Sequence, residues 1–529
     1  MIQSYKQKYQ ITEERDVILI GSGLGCLSTA SILAQQGKNV LVLERHYTAG
    51  GYTHVFKRPG YEWDVGIHYI GEMGEPPRFS RMLFDYVSNN KVKWADMGEV
   101  YDRVAIGDKI YDFPKGTGNL KAALKSYFPK EKSAIDRYFD LIFKVSRANR
   151  SFFMEKGLAP FLSKLIGGFL TRKFKKFSSK TTYEVLSSLS CSEELIKVLT
   201  AQYGDYGLPP KRSSFAMHAM LVKHYFNGGY FPIGGSSVIA NSISAVVHAN
   251  KGAVLVNAEV KEVIIEKNCA VGVRMADGKI FHAKQIVSGI GVPNTFEKLV
   301  SPAVVKKMGI QNKLKNVNPS VGHVCLYIGL SGSPEDLKLP KANYWVYPEK
   351  LSHDDAVRAF EKDINNEFPV CYISFPAAKD PSWTDRYPGK STIDIITMMP
   401  YQVFEKWRDD KWKKRGDDYE QLKEQIAQRL LVELYKREPH LKGKVDCYEL
   451  SSPITTRHFM NYEKGELYGL DHNPGRFDQK FLRPHTPINN FYLTGQDILT
   501  VGIAGALASG LVTASAMTGK NLVKQIIKK

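Results

Sequence analysis

The sequence predicts an α/β fold in which a Rossmann-like nucleotide-binding domain is assembled from separated stretches of chain, and three observations predict it. A strand, a glycine turn, a helix and a second strand follow one another from Asp16 in DVILIGSGLGCLSTASILAQQGKNVLVLER. A run of short strands occupies 252–289. A strand, a GxD turn and a small-residue helix come near the end, in NFYLTGQDILTVGIAGALASGLVTASAMTG. At 529 residues the chain is longer than a single core usually supports, so a second domain is expected.

Val17, Ile18, Leu19 and Ile20 are apolar without alternation, as a parallel strand covered on both faces requires. Gly21 permits the tight turn after them. Gly23 lets helix-start amides approach a diphosphate, which the helix dipole favours. Gly25 follows, and Cys26 stands where the GxGxxG pattern has Gly or Ala, a small thiol that still permits close packing. Glu44, with Arg45 beside it, ends the second strand twenty-three residues after Gly21. A carboxylate there accepts hydrogen bonds from both adenosine ribose hydroxyls and disfavours a 2′-phosphate.

Gly50 and Gly51, in ERHYTAGGYTHVF, form a second close-approach pair and point to FAD rather than NAD. The flavin half extends beyond the adenosine, so a distant segment must complete the site. The turn Gly495–Asp497 supplies it, with Asp497 placed for a ribityl hydroxyl. Gly505 and Ala506 lie near a helix start whose positive end would stabilise reduced flavin. The 252–289 strands, with an Asp277/Gly278 turn, return into the same sheet and bring Val260 near the adenine. Residues 1–75, 230–300 and 451–529 are thus expected to form the FAD domain. Residues 76–229 and 301–450, mixed and aromatic-rich, form an inserted α+β substrate domain. No second GxGxxG follows a strand, so no NAD(P)H domain is expected and electrons come from an external donor.

Apolar residues make up 43% and charged residues 24%, which argues against long disorder. Lys and Arg outnumber Asp and Glu by 73 to 54, so an anionic neighbour is expected. No nucleic-acid module appears, whereas LAPFLSKLIGGFLTRKFKKFSSK, 158–180, places Leu162, Leu165, Ile166, Phe169 and Leu170 at helical spacing. Lys164, Arg172, Lys173, Lys175, Lys176 and Lys180 flank that stripe, which reads as a helix docking on an anionic membrane surface. Six cysteines lack any zinc-type spacing, and no metal site is expected. The first fifteen residues do not read as a secretory signal and no apolar run has transmembrane length, so a cytoplasmic, peripherally membrane-associated protein is the expectation.

DVGIHYIG at 64–71, QYGDYGLPP at 202–210, HAMLVKHYFNGGYFPIGGSS at 218–237, LYGLDHNPGRF at 467–477 and NFYLTGQDILTVGIAGAL carry a resemblance over nearly the whole chain. The chain resembles the retinol saturase branch of the carotenoid desaturase and isomerase superfamily. Cys26 and Ile233, the latter where the branch has a basic residue before the glycine pair, depart from it. The resemblance implies an amine-oxidase-like FAD fold and reduction of one double bond of a hydrophobic conjugated isoprenoid polyene. Cis/trans isomerisation by reduced FAD and desaturation are the alternative reactions. A GDP-dissociation-inhibitor-like prenyl-binding protein is the non-enzymatic alternative.

Saturation needs a hydride, a proton and a dry, oriented polyene. His68 and Tyr69, after the cofactor-proximal glycines, are the first catalytic candidates, and Tyr203 and Asp205 the second pair. Gly234 and Gly235 are expected to let backbone approach the flavin ring beside the substrate, with Tyr468 lining the same cavity.

Overall fold

The computed structural model describes residues 2–6 and 14–527; much of the charged N-terminal stretch read for a secretory signal lies outside them. One sheet has eight strands: β1 (Ile2–Ser4), β2 (Glu14–Ile20), β3 (Val40–Leu43), β4 (Ala253–Val256), β5 (Val260–Glu266), β6 (Cys269–Met275), β7 (Ile280–Ser288) and β8 (Phe491–Leu493). Their order is β1-β4-β3-β2-β7-β6-β5, with β8 also on β7. Pairing is parallel from β1 through β7 and on to β8, while β5, β6 and β7 form an antiparallel meander. Positive φ at Lys267 and Asn268 makes the β5–β6 turn, a left-handed pair that suits a right-twisted hairpin.

Val17 to Ile20 are buried because helices cover one face of the sheet and β5 to β8 with their loops crowd the other. Helix α1 (Leu24–Gln35) lies against α3 (Ser237–Ala249) and α4 (Gly502–Thr518), with α2 (Phe79–Ser88) packed on all three. The small residues of α4 have a specific use. A Cβ on Gly510 would fall 2.5 Å from Ser28 Cβ, so glycine permits the α1–α4 approach, and Ser28 Oγ donates to Leu507 O at 3.0 Å across it.

The second sheet has seven strands in the order Val445–Leu450, His323–Ser331, Lys390–Met398, Cys371–Ser374, Asn343–Tyr347, Val100–Ile106, Lys109–Pro114. Only the Asn343–Tyr347 and Val100–Ile106 pair is parallel. Leu83, Phe84 and Val87 of α2, beyond the expected limit at 75, join the core of α1, α3 and α4. Val305 and Ile310, beyond 300, pack with Ile18, Leu41 and Ile286.

The helix Pro160–Ser178 turns Gly167, Thr171, Phe174 and Ser178 inward. Its expected apolar stripe faces outward: Leu165 is 76% and Phe169 82% exposed, with Phe161, Leu162 and Ile166 beside them. Among the described residues no helix is long and apolar enough to cross a membrane.

Candidate active site

A cavity of about 2010 Å³ runs between the two sheets and is walled by both. That is about twice the upper end of ordinary small-ligand pockets, room for a dinucleotide and a second extended molecule.

At one end the turn Gly21–Gly25 forms the wall. Gly21, at φ +92°, donates its N–H to Leu43 O at 2.8 Å and turns the chain out of β2. Gly23 caps α1 without a side-chain acceptor, and no acidic residue stands in the first turn, so the amides there await an anion. A Cβ on Gly23 would meet nothing within 4 Å, whereas one on Gly25 would lie 2.7 Å from Gly495 N. Gly51, at φ +57°, abuts Gly23, since its Cβ would be 3.1 Å from Gly23 Cα; Gly50, at φ +119°, begins that turn. The Glu44 carboxylate is fixed by Ser22 N at 2.8 Å, Ser22 Oγ at 2.7 Å and His46 N at 2.8 Å. Ser22 Oγ in turn accepts from Gly50 N at 3.0 Å, so the acid, the first turn and the second glycine pair form one unit. Arg45 and Val260 line the same end, and Arg45 reaches the carbonyls of His458 and Phe459.

Cys26 does not line the cavity. It is buried, with Sγ donating to Ile20 O at 3.4 Å, and burial raises its thiol pKa, so it stays protonated. A Cβ on Gly289 would come within 2.5 Å of Cys26 Sγ. The glycine that close packing demands has therefore moved to the facing strand end, which is how the buried Cys26 thiol is accommodated.

Gly495, Gly505 and Ala506 line the cavity. Helix α4 also starts without a side-chain cap, so its open amides lie at Gly502–Ala504, just before the expected pair. Asp497 is placed differently from expectation. Its oxygens accept from Val292 N at 2.7 Å and Leu470 N at 3.1 Å, and it is absent from the cavity wall, so it ties loops together and Gln496 faces the cavity instead.

His68, Tyr69, Asp205 and Tyr468 line the part of the cavity walled by the second sheet, with Tyr225, Trp345 and Tyr372. Tyr468 Oη donates to Gly204 O at 2.8 Å, which anchors the loop carrying Asp205. Neither ring nitrogen of His68 is hydrogen-bonded, although Nδ1 stands 3.3 Å from the buried Asp394 carboxylate. Tyr203, the other residue of the expected second pair, is fully buried away from the cavity lining and donates to Pro369 O at 3.2 Å. Gly234 and Gly235 also lie off the cavity. Their φ values of +96° and +84° make a turn whose Gly234 N–H meets the Asp380 carboxylate at 3.1 Å, beside Arg386 and Glu62. The tight turn accounts for both glycines, and neither lines the cavity.

Sequence reasoning missed Asp102, Gln202, Asn343, Trp345, Tyr372 and Lys379, which gather behind Tyr69. Nothing local sets Asp102 apart in EVYDRVAI, where Glu99 and Arg103 are charged too. Asn343 meets it through strand register, and Gln202 and Lys379 join them from short helices distant in sequence.

Residues 25–518 match the family described as Flavin containing amine oxidoreductase. The chain belongs to that family. As a flavin containing amine oxidoreductase it uses FAD, and two uncapped helix starts facing one cavity, with a fixed Glu44 between the glycine turns, fit that group. The chain is 37% identical to all-trans-retinol 13,14-reductase of Homo sapiens over 98% of this chain and 88% of that protein. It is 24% identical to chloroplastic prolycopene isomerase of Arabidopsis thaliana over 94% of this chain and 82% of that protein. Among solved structures, wild-type putrescine oxidase bound to putrescine superposes with a TM-score of 0.63 at 15% identity, covering 96% of this chain and 99% of that one, a likeness of fold.

Proposed function

We propose that this flavin containing amine oxidoreductase is an FAD-dependent saturase that reduces one carbon–carbon double bond of a conjugated isoprenoid polyene of the retinol or carotenoid type. The observation that carries the reading is the 37% identity, over 98% of this chain, with a retinol 13,14-reductase. The cavity supports it, because an apolar second half joined to a nucleotide-binding half suits a long hydrophobic substrate.

Bound and reduced, FAD supplies a hydride. The Gly21–Gly25 turn would hold the diphosphate, Glu44 and Val260 the adenosine, and Gly495–Gln496 with the start of α4 the flavin end. Tyr69, Tyr225, Tyr372 and Trp345 orient the polyene by packing aromatic faces along it and excluding water. Purified protein, reduced anaerobically and given all-trans-retinol and a carotenoid panel, is expected to yield a product heavier by two hydrogens. An unchanged mass with altered geometry identifies an isomerase, and a loss of two hydrogens a desaturase. Protein that takes up no flavin on reconstitution fits the prenyl-binding alternative and overturns the saturase reading.

The substrate is expected to arrive from an anionic membrane surface. Exposed Phe161, Leu165, Ile166 and Phe169 lie on the helix whose Leu162 also lines the cavity. Arg147, Arg150 and Lys520 add positive charge to the same cavity rim. Neutralising Arg172, Lys173, Lys175 and Lys176 together is expected to weaken flotation with phosphatidylserine vesicles; undiminished flotation refutes the role of this helix.

A further inference from the structure

Tyr69 follows the strand Tyr61–Asp64 and stacks on Tyr225 with ring centroids 4.4 Å apart. Its hydroxyl sits between two carboxyl groups, 3.0 Å from Asp102 Oδ2 and 3.2 Å from Asp205 Oδ2. A phenol has one hydrogen, so it donates to one of them; the other contact is a hydrogen bond only if that carboxyl carries a proton and donates to Oη. The surroundings decide which. Asp102 accepts from Asn343 Nδ2 at 2.8 Å and from Gln202 Nε2 at 2.8 Å, two N–H donors that favour the carboxylate. Among the described residues Asp205 receives no amide donor; the hydroxyls of Tyr69 and Tyr225 bear on it in place of the two amides that Asp102 has.

Lys379 fixes this arrangement from behind. It is buried, and its Nζ donates to Ser374 Oγ at 2.7 Å, to His68 O at 2.9 Å and to Asn343 Oδ1. Holding Oδ1 turns the amide nitrogen of Asn343 toward Asp102. Of the two carboxyl groups only Asp205 lines the cavity.

Resting on the saturase reading, we propose that the Asp205 carboxyl is the proton donor to the substrate, and that Asp102, backed by Asn343 and Lys379, is a positioning unit that keeps the proton on Asp205. The alkene π pair forms a C–H bond to that proton as the Asp205 O–H bond breaks, and the neighbouring carbon receives the hydride. Two electrons and two hydrogens are thereby added, and the carboxylate regains a proton from water as product leaves. Burial and then the Asp102 charge raise the Asp205 carboxyl to about 8, while Asp102, also raised by burial but held back by its donors, stands at about 6. The other titratable groups facing Asp205 are the phenols of Tyr69, Tyr225, Tyr372, Tyr347, Tyr206 and Tyr468, all neutral below pH 10.

The test is single-turnover reduction of all-trans-retinol by the reduced holoprotein across pH, with infrared spectra of the same samples. Wild type is expected to lose rate as pH rises through about 8, with a protonated-carboxyl band that titrates in parallel. Asp205→Asn is expected to retain FAD, lose that band and slow at least about 100-fold, the usual scale of general acid catalysis. Asp102→Asn is expected to move the alkaline limb toward acid pH, because it removes the charge that holds the proton on Asp205; a merely structural role would lower the rate without moving the limb. Asp205→Asn turning over within a few-fold of wild type, or an unmoved limb in Asp102→Asn, overturns the proposal. If wild type adds no hydrogens to any polyene, the saturase reading fails, and the infrared band still decides separately: its absence in wild type at pH 7 removes the protonated Asp205 on which the proposal stands.

Discussion

Gly23 and Gly25 stand two residues apart in one turn, yet alanine at each should fail for different reasons. A Cβ on Gly25 would lie 2.7 Å from Gly495 N, 2.8 Å from Gly495 Cα and 3.0 Å from Ser509 Oγ. Two of the three are backbone atoms, so the C-terminal turn must move away from α1. Overpacking of this kind costs about 1–3 kcal/mol. Gly23 has φ −59° and ψ 162°, which any residue adopts, and its Cβ would meet no protein atom within 4 Å. Gly23→Ala should therefore leave the deflavinated protein as stable as wild type, within about 0.5 kcal/mol. The new methyl would occupy the space that the diphosphate needs. Gly25→Ala should lower the urea midpoint of the deflavinated protein and, by displacing Gly495, also weaken FAD binding. At 1.36 kcal/mol per decade its cost corresponds to roughly 5- to 150-fold. Urea unfolding followed by intrinsic fluorescence, paired with FAD titration, separates the two variants. If Gly23→Ala destabilises the deflavinated protein as much as Gly25→Ala, or if it binds FAD normally, the Gly21–Gly25 turn does not cradle the diphosphate.

Gly289→Ala should destabilise the fold by about 1–3 kcal/mol through its contact with Cys26 Sγ, and Cys26→Gly should restore most of that loss; additive effects in a double-mutant cycle of denaturant midpoints would show that the pair is not coupled. Leu165→Asp with Phe169→Asp should abolish vesicle flotation and leave the thermal midpoint within a degree or two, because both side chains are exposed; a collapse of stability would mean that the face is covered. Asp205→Asn should stabilise the protein at pH 8 relative to wild type. The native carboxyl keeps its proton up to about 8 while the unfolded one releases it near 3.8, so the native state binds more protons across that interval and wild-type stability falls as pH rises. The advantage of the asparagine variant should vanish near pH 4; an equal gap at pH 4 and pH 8 in urea melts would contradict a raised Asp205.

What could be read from the sequence was whatever a short stretch determines by itself. The β2–α1–β3 unit and the β5–β6–β7 meander each declare their period and turns within about forty residues, and both stand where expected. The apolar stripe of 158–180 was also local, and its side chains face outward. The side-chain directions of Asp497 and Tyr203 were not legible, for the opposite reason. Each sits in a motif next to the cavity, but its side chain direction is set by partners far away in sequence, Val292 and Leu470 for the one and Pro369 for the other. The group around Asp102 was invisible because it needs Asn343 in register with Asp102 on a neighbouring strand, and Lys379 reaching across to the backbone of His68. No window of sequence contains that geometry.

The contact between Gly25 and Gly495 also imposes an order on biosynthesis. The first glycine turn leaves the ribosome 470 residues before its partner. At about 5–20 residues per second the nascent N-terminal unit waits roughly 24–94 s for the segment that completes its cofactor site. Over that interval β7 has emerged without β8, and α1 without the helix that covers its small-residue face. Tight capture of the cofactor therefore cannot precede synthesis of the second of these two segments.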